Sequence, residues 1–426
     1  MVREGIMVMG KEITFLHFSD IHFNKNSDSI YCLDGDLRNE MIIDVEGVIK
    51  KEHLQPYGII VCGDIAYSGQ ADEYKIADGF INELVEKLEI DYEHVFCVPG
   101  NHDVDQNVAK KSVSVYAVQK LLENSDDNEF QTYLDKIKEE VSETNDDMLY
   151  RALKNYNDFS GKYMGNVSSF EAPWTHEIKL DEGYILCLYG INSTIISNAD
   201  DHFNRNNNAL RKMRVGNHQI PKRKEKKIYM TICHHPTDNW EEDIAKILDE
   251  RAMIQLYGHK HVQTLDANGK RIKIGTGALQ PDRREADWQP RYNFLKIKLN
   301  SGSIEIVLYP RIWNESIRKF VQEKGSCDVG YLSKKIILPL EGSTTETNEV
   351  DEKSLHQKVR ETSDSKRKLV YKLWGLQIFE REKVMGEFEV FNGIPLDDLN
   401  QNIEKILSIA EENNIIEQII ARINNY

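Results

Sequence analysis

The sequence predicts an α/β sandwich interrupted by a helical insertion and followed by a small α-helical C-terminal domain. Three observations carry this expectation. Short β-rich runs recur as far as Tyr309, and many are almost wholly apolar. Amphipathic helical patterns separate the early runs, whereas the later runs follow one another directly. A long charged stretch without strand signal, Val104–Gly165, breaks the series. Strand–helix alternation that gives way to strands fits a layered α/β arrangement better than a doubly wound sheet.

The runs, in order, are Glu12–Phe18, Tyr57–Cys62, His94–Val98, Tyr184–Ile191, Lys227–Cys233, Gln263–Asp266, Arg271–Gly275, Phe294–Leu299 and Ser303–Tyr309. They are rich in Ile, Val, Tyr and Phe, and several end in Gly, Asp or Asn. Near-continuous apolar runs are those of strands buried on both faces. Between them, Asp36–Lys51 puts Leu37, Met41, Val45 and Val48 on one helical face. Asp72–Leu88 does the same with Ile76, Phe80, Ile81, Leu84, Val85 and Leu88. Within a first domain of residues 1–340, residues 104–165 read as an inserted helical cap. The polar segment EGSTTETNEVDEK begins a linker over 341–354. Residues 355–426 then form a helical module, with Ile403, Ile406, Leu407 and Ala410, and Ile416, Ile419, Ile420 and Ile423, at helical spacing. Such a module is expected to recruit a protein partner or a second copy of the chain.

A chain of 426 residues that is 40% hydrophobic can bury one large core and a small second one. No apolar run of about 18 residues exists to span a membrane. The apolar patch Ile6–Met9 is too short for a signal peptide, so the expected compartment is the cytoplasm. The six cysteines show no CxxC pairing, and four lie in strand-like runs, which reads as buried reduced thiols. A net charge of −16 disfavours general binding to polyphosphate backbones. One local exception runs from Arg205 to Lys227 and includes Arg211, Lys212, Arg214, Lys222, Arg223, Lys224 and Lys226. It reads either as a solvated loop or as a phosphate-binding rim.

Five short motifs follow strand-like runs: Ser19-Asp20-Ile21-His22, Gly63-Asp64, Gly100-Asn101-His102-Asp103, His234-His235-Pro236 and Gly258-His259-Lys260-His261. Alone, each is weak, because an Asp or His after a strand is usually a turn residue. Together they bring carboxylates, imidazoles and one amide oxygen to sheet ends, a donor set suited to first-row divalent metals. Gly5–Lys11 matches a G-x-x-x-x-G-K spacing, but Glu12 follows where Ser or Thr is needed, and it precedes a strand. It is not a phosphate loop.

The ordered set D-x-H, G-D, G-N-H-D, H-x-P and G-H-x-H resembles the calcineurin-like metallophosphoesterase superfamily, over roughly residues 12–310. The resemblance implies a two-sheet β-sandwich flanked by helices, and two divalent metals about 3.5–4 Å apart. Manganese is the first expectation, with iron, zinc, nickel or cobalt also compatible. Carried over position by position, Asp20, His22 and His261 bind one metal. Asn101, His234 and His259 bind the other, and Asp64 bridges. The implied reaction is attack on phosphorus by a hydroxide bridging the metals. His102 would protonate or stabilise the leaving oxygen, and Asp103 would orient His102. His235 would support the ligand His234 or be structural. His17 alternates with the apolar strand face and reads as a core histidine. Tyr67 stands where purple acid phosphatases have a metal-binding tyrosine. Those enzymes lack the first-motif histidine, so here Tyr67 reads as structural or substrate-facing.

The stretch GDIAYSGQADEY, followed by a helix and GNHDVD, is similar to the class III cyclic-nucleotide phosphodiesterase branch. This points to a phosphodiester bond of a nucleotide or a nucleic acid. The acidic balance favours a small nucleotide. The basic stretch, with Arg283, Arg284 and Arg291, favours a polymer and hence a nuclease. Arg211, Lys212, Arg214, Arg283 and Arg284 are the expected substrate contacts. The alternatives are a phosphomonoesterase or protein phosphatase, or an effector in bacterial signalling or defence regulated through residues 355–426.

Overall fold

A computed structural model describes residues 12–25, 34–144, 146–168, 173–197, 212–281, 289–323 and 331–338. In the C-terminal part it describes 369, 383–385, 387–391, 399–413 and 415–424. The chain divides into two compact units, Met1–Leu340 and Glu341–Tyr426.

The first unit runs β1 (Glu12–Phe18), α1 (Asp34–Glu52), β2 (Pro56–Val61), α2 (Ala71–Leu88) and β3 (Val95–Cys97). Four helices follow: α3 (Gln106–Lys111), α4 (Val113–Asn124), α5 (Asp127–Thr144) and α6 (Lys154–Ser160). Then come β4 (Thr175–Lys179), β5 (Ile185–Ile191), β6 (Lys227–Cys233), α7 (Glu242–Arg251) and β7 (Ile254–Tyr257). The unit closes with β8 (Thr264–Ala267), β9 (Ile272–Gly275), β10 (Arg291–Asn300), β11 (Ser303–Asn314), β12 (Lys319–Gln322) and β13 (Leu332–Ile337).

Two sheets form. One has the order β12-β11-β10-β1-β2-β3, with β13 also paired to β11, and the other β4-β5-β6-β7-β9-β8. In the first, β1, β2 and β3 are parallel; in the second, β5, β6, β7 and β9 are parallel. The period-2 alternation of side chains sorts each strand between two cores. Ile13 and Phe15 of β1 join Ile60, Leu188, Met230, Ile232 and Leu256 in a buried cluster shared by both sheets. Leu16 and Phe18 turn the other way, into a cluster with Met41 and Val45 of α1 and Phe80, Ile81 and Leu84 of α2. Both faces are therefore covered, which is why these strands read as continuous apolar runs.

Parallel strands in both sheets end on one side. The turns after β1, β2, β3, β6 and β7 carry all five motifs, so the topology gathers them at one edge of the sandwich. Helix α2 starts firmly because the Glu73 carboxylate accepts from the Ser68 and Gln70 amides at 2.9 and 3.0 Å. Helix α6 docks on α2 through a Tyr74–Phe159 stack with ring centres 5.1 Å apart.

In the second unit, α8 (Leu399–Glu412) and α9 (Ile416–Asn424) are described. Ile406, Ala410, Ile416, Ile419, Ile420 and Ile423 are buried with Leu369, Val384, Met385 and Phe391. No described helix is long and apolar enough to cross a membrane.

Candidate metal centre

Five of the seven expected ligands have a left-handed backbone: Asp20 (φ 54°), His22 (53°), Asp64 (52°), His259 (71°) and His261 (55°). This conformation is uncommon outside glycine, and Asp, Asn and His are the side chains that tolerate it best. Its effect is to fold each strand end back, so that residues two apart present side chains to the same point. Segments 20–23 and 63–66 then run side by side. Asp20 N donates to Gly63 O at 3.0 Å, His22 N to Asp64 O at 3.0 Å and Phe23 N to Ile65 O at 2.9 Å. Gly100 is required by close approach, since a Cβ there would lie 2.1 Å from Asp64 Oδ1. At Gly258 a Cβ would lie 2.7 Å from the Cys62 carbonyl oxygen and 2.8 Å from Asp20 Oδ2.

The side chains converge. His22 Nε2 is 3.2 Å and His234 Nε2 3.4 Å from Asp64 Oδ2. His261 Nε2 is 3.3 Å from Asp20 Oδ1. Asn101 Oδ1 lies 3.0 Å from His234 Nε2 and 3.1 Å from His259 Nδ1. Three overlapping groups, Asp20–His22–His261, His22–Asp64–His102 and Asp20–Asp64–His234, each bring their ligand atoms within 4.8 Å of one another. A fourth adds the buried His235 to His234 and His259, and the His235 ring is paired with Ser193 Oγ at 2.8 Å.

The donor chemistry fits a cation. His234 Nδ1 is 2.8 Å from the Cys62 carbonyl, so the proton of a neutral ring sits there and Nε2 carries a lone pair. That lone pair faces an amide oxygen and a carboxylate. Three acceptors around one point need a positive charge between them. Burial alone would lower the His234 pKa, but Asp64 and Asp20 push it up to about 9. Burial would raise Asp20, yet the His261 hydrogen bond and the His261 and His234 charges bring it down to about 2. Asp64 is likewise held well below the usual carboxylate range, against its burial, by His234, His102 and His22.

His102 stands beside this cluster, its ring centre 4.8 Å from that of His22. Its backbone N–H donates to Asp64 Oδ1 at 2.8 Å, and its Nδ1 is 2.8 Å from the Tyr67 carbonyl oxygen. Asp103 does not orient it, which corrects the expectation from sequence. The Asp103 carboxylate is fully buried and accepts from the amides of Ile65, Ala66 and Gly100 at 3.2, 2.9 and 2.9 Å, and from Tyr74 Oη at 2.9 Å. Burial and the Asp64 charge lift its pKa to about 6, against the pull of those amides. Asp103 shapes the loop, and a main-chain carbonyl anchors His102. No side-chain motif announces a carbonyl, so Tyr67 O and Cys62 O had no signal in the sequence.

The expected substrate contacts fare differently. Arg211, Arg283 and Arg284 lie outside the described residues. Lys212 is exposed and donates to the Asp238 carbonyl at 2.6 Å. The Arg214 side chain is only 8% exposed, pairs with Asp127 and Glu241, and lies over the Phe130 ring at 4.5 Å. It braces α5 against the segment before α7, which corrects its reading as a substrate contact. Lys260, between His259 and His261, is ion-paired with Asp238 at the surface.

A strand-end cluster of Asp, His and Asn on a two-sheet sandwich defines a metal-dependent phosphoesterase class. The sequence matches the calcineurin-like phosphoesterase family over residues 13–263, and the chain belongs to that family. Solved structures that the chain matches include a predicted phosphoesterase from Streptococcus pneumoniae (12% identity, 76% of this chain and 98% of that one, TM-score 0.26). Vps29 from Chaetomium thermophilum gives 7% identity, 77% and 98% coverage and a TM-score of 0.31. An archaeal phosphodiesterase gives 10%, 73%, 99% and 0.25. No curated protein sequence matches the chain.

Proposed function

We propose that the protein hydrolyses a phosphodiester bond of a nucleotide or nucleic acid, with Asp20, His22 and His261 holding one divalent ion, Asn101, His234 and His259 a second, and Asp64 shared. When bound, the two cations supply Lewis acidity and lower the pKa of a water near neutrality. The observation that carries the reading is His102. Its Nδ1 is anchored on a carbonyl, its half-buried ring adjoins His22, and its Nε2 has no partner among the described residues. This arrangement supports a role for His102 in giving a proton to a departing alkoxide, the poor leaving group of a nucleoside ester. The GDIAY and GNHDVD motifs support a diester over a monoester.

Buried unbridged Cys62, Cys97, Cys187 and Cys233 support a reducing compartment, the cytoplasm. Residues 355–426 serve as an interaction module that regulates the catalytic unit.

The test is a panel offered to manganese-loaded protein: cyclic nucleotides, single- and double-stranded DNA, RNA, a generic diester and a generic monoester. Faster turnover of the monoester than of every diester sinks the reading. Changing Arg211, Lys212, Lys222, Arg223 and Lys224 to Ser should flatten the salt dependence of binding if the substrate is a polymer. Deleting residues 355–426 should alter turnover if the module regulates it.

A further inference from the structure

Among the described residues, few large apolar side chains are exposed, and two of them stand beside candidate ligands. Tyr67 is 47% exposed and lies three residues after Asp64, and Val262 is 56% exposed and follows His261. Neither stabilises a core. Tyr67 is nonetheless held firmly. Its N–H donates to Phe23 O at 2.8 Å, its carbonyl anchors His102, and the preceding amides of Ile65 and Ala66 are fixed by Asp103. On its other side Ser68 is clamped by Glu73 through both its amide and its hydroxyl, at 2.9 and 2.8 Å.

The ring packs against two imidazoles of the site. Its centre is 5.6 Å from that of His102, tilted by 42°, and 6.4 Å from that of His22, edge-on at 80°. The rest of the ring faces solvent, and its hydroxyl makes no hydrogen bond among the described residues. An aromatic face held rigid and open beside a general acid is a surface on which another flat ring can lie.

We propose that Tyr67 is the stacking platform for a nucleobase of the substrate, on the leaving-group side next to His102, with Val262 adding apolar rim near His261. This rests on the phosphodiesterase reading above and gives it a specificity-determining residue. Stacking is tolerant of base identity, because every base has a π-face. The platform therefore selects nucleotides over other phosphate esters without reading sequence.

The experiment compares a nucleoside 5′-monophosphate with ribose 5-phosphate, which keeps the sugar and phosphate and lacks the base. Binding to manganese-loaded full-length protein is measured by calorimetry, for wild type, Tyr67→Phe and Tyr67→Leu. One base–aromatic stack corresponds to a preference of about 5- to 150-fold. Wild type and Tyr67→Phe should both prefer the nucleotide by a factor in that range. Tyr67→Leu should bind the two ligands equally. The loop is held through main-chain groups of residue 67, and a thermal melt of each variant confirms that the fold is kept. A nucleotide preference that survives in Tyr67→Leu overturns the proposal, as does its absence in wild type. Turnover of a generic diester separates the two readings. Hydrolysis without any base preference removes the platform alone, whereas no hydrolysis of any diester removes the phosphodiesterase reading and the platform with it.

Discussion

His234 Nε2 stands 3.0 Å from Asn101 Oδ1 while its other ring nitrogen is held 2.8 Å from the Cys62 carbonyl. The first residue comes from the end of β6 and the second from the turn after β3, so the two sheets meet in one pair of atoms. Everything expected of the centre follows from that meeting.

In the proposed centre Asp64 is the shared group. Asn keeps its size and tolerates the same left-handed backbone, so Asp64→Asn removes charge with little strain. Hydrolysis should fall by about 10³-fold or more, and metal content measured by mass spectrometry should drop. Near wild-type turnover with a full metal complement would contradict the shared-ligand assignment.

His102 is not assigned to either metal. His102→Ala should retain both ions and slow turnover by about 10²–10⁴-fold, the usual worth of general acid catalysis. The loss should shrink for esters whose leaving group needs no proton, such as nitrophenolates. An empty site in the variant would make His102 a ligand instead.

Asp103 reaches His102 only through the loop, since it holds the amides of Ile65 and Ala66 just before Tyr67, whose carbonyl anchors the ring. Asp103→Asn should therefore keep the leaving-group dependence of wild-type turnover, which His102→Ala alters. Loss of that dependence in Asp103→Asn would restore a direct orienting role. The single change should instead cost stability, because amides of Ile65, Ala66 and Gly100 lose an anionic acceptor, at about 1–3 kcal/mol for each group left unsatisfied. Urea denaturation reads that loss.

His17 gives the protein a pH dependence unrelated to catalysis. It is fully buried beside Cys62 Sγ, and burial lowers its pKa to about 3. Below the unfolded value of 6.5 the unfolded chain takes a proton that the native ring refuses, so stability falls as pH drops. In chelator throughout, wild type should lose about 1.5–2 kcal/mol more than His17→Gln between pH 6.5 and 5.0. Equal losses would mean that the ring protonates in place.

Much of this was legible because the sandwich buries its central strands on both sides. Strands such as β1 and β6 have no exposed face to dilute their apolar run, and a ligand directly after such a run has to sit at a sheet end. The edge strands β4 and β13 escaped notice for the same reason reversed. β4 (THEIK) and β13 (LSKKII) are largely exposed, and their Lys and Glu read as loop. At the site, side chains could be named from spacing, but the groups that aim them could not. The Tyr67 and Cys62 carbonyls belong to the backbone, and Ser193 meets His235 across 42 residues of sequence. Asp103 was misassigned because adjacency in the chain to His102 is not adjacency in space.

The left-handed backbone at Asp20, His22, Asp64, His259 and His261 bears on how this centre can be re-engineered. A saturation library there is filtered twice, once by coordination chemistry and once by φ. Cysteine, a sound donor for zinc, passes the first filter, is disfavoured by the second and should be recovered less often than Asn. Val, Ile and Thr should be purged even from libraries screened only for soluble expression, because a β-branched side chain clashes in that conformation whatever ion is offered. Exchange among Asp, Asn and His is then the cheapest route by which these five positions can drift toward a different metal.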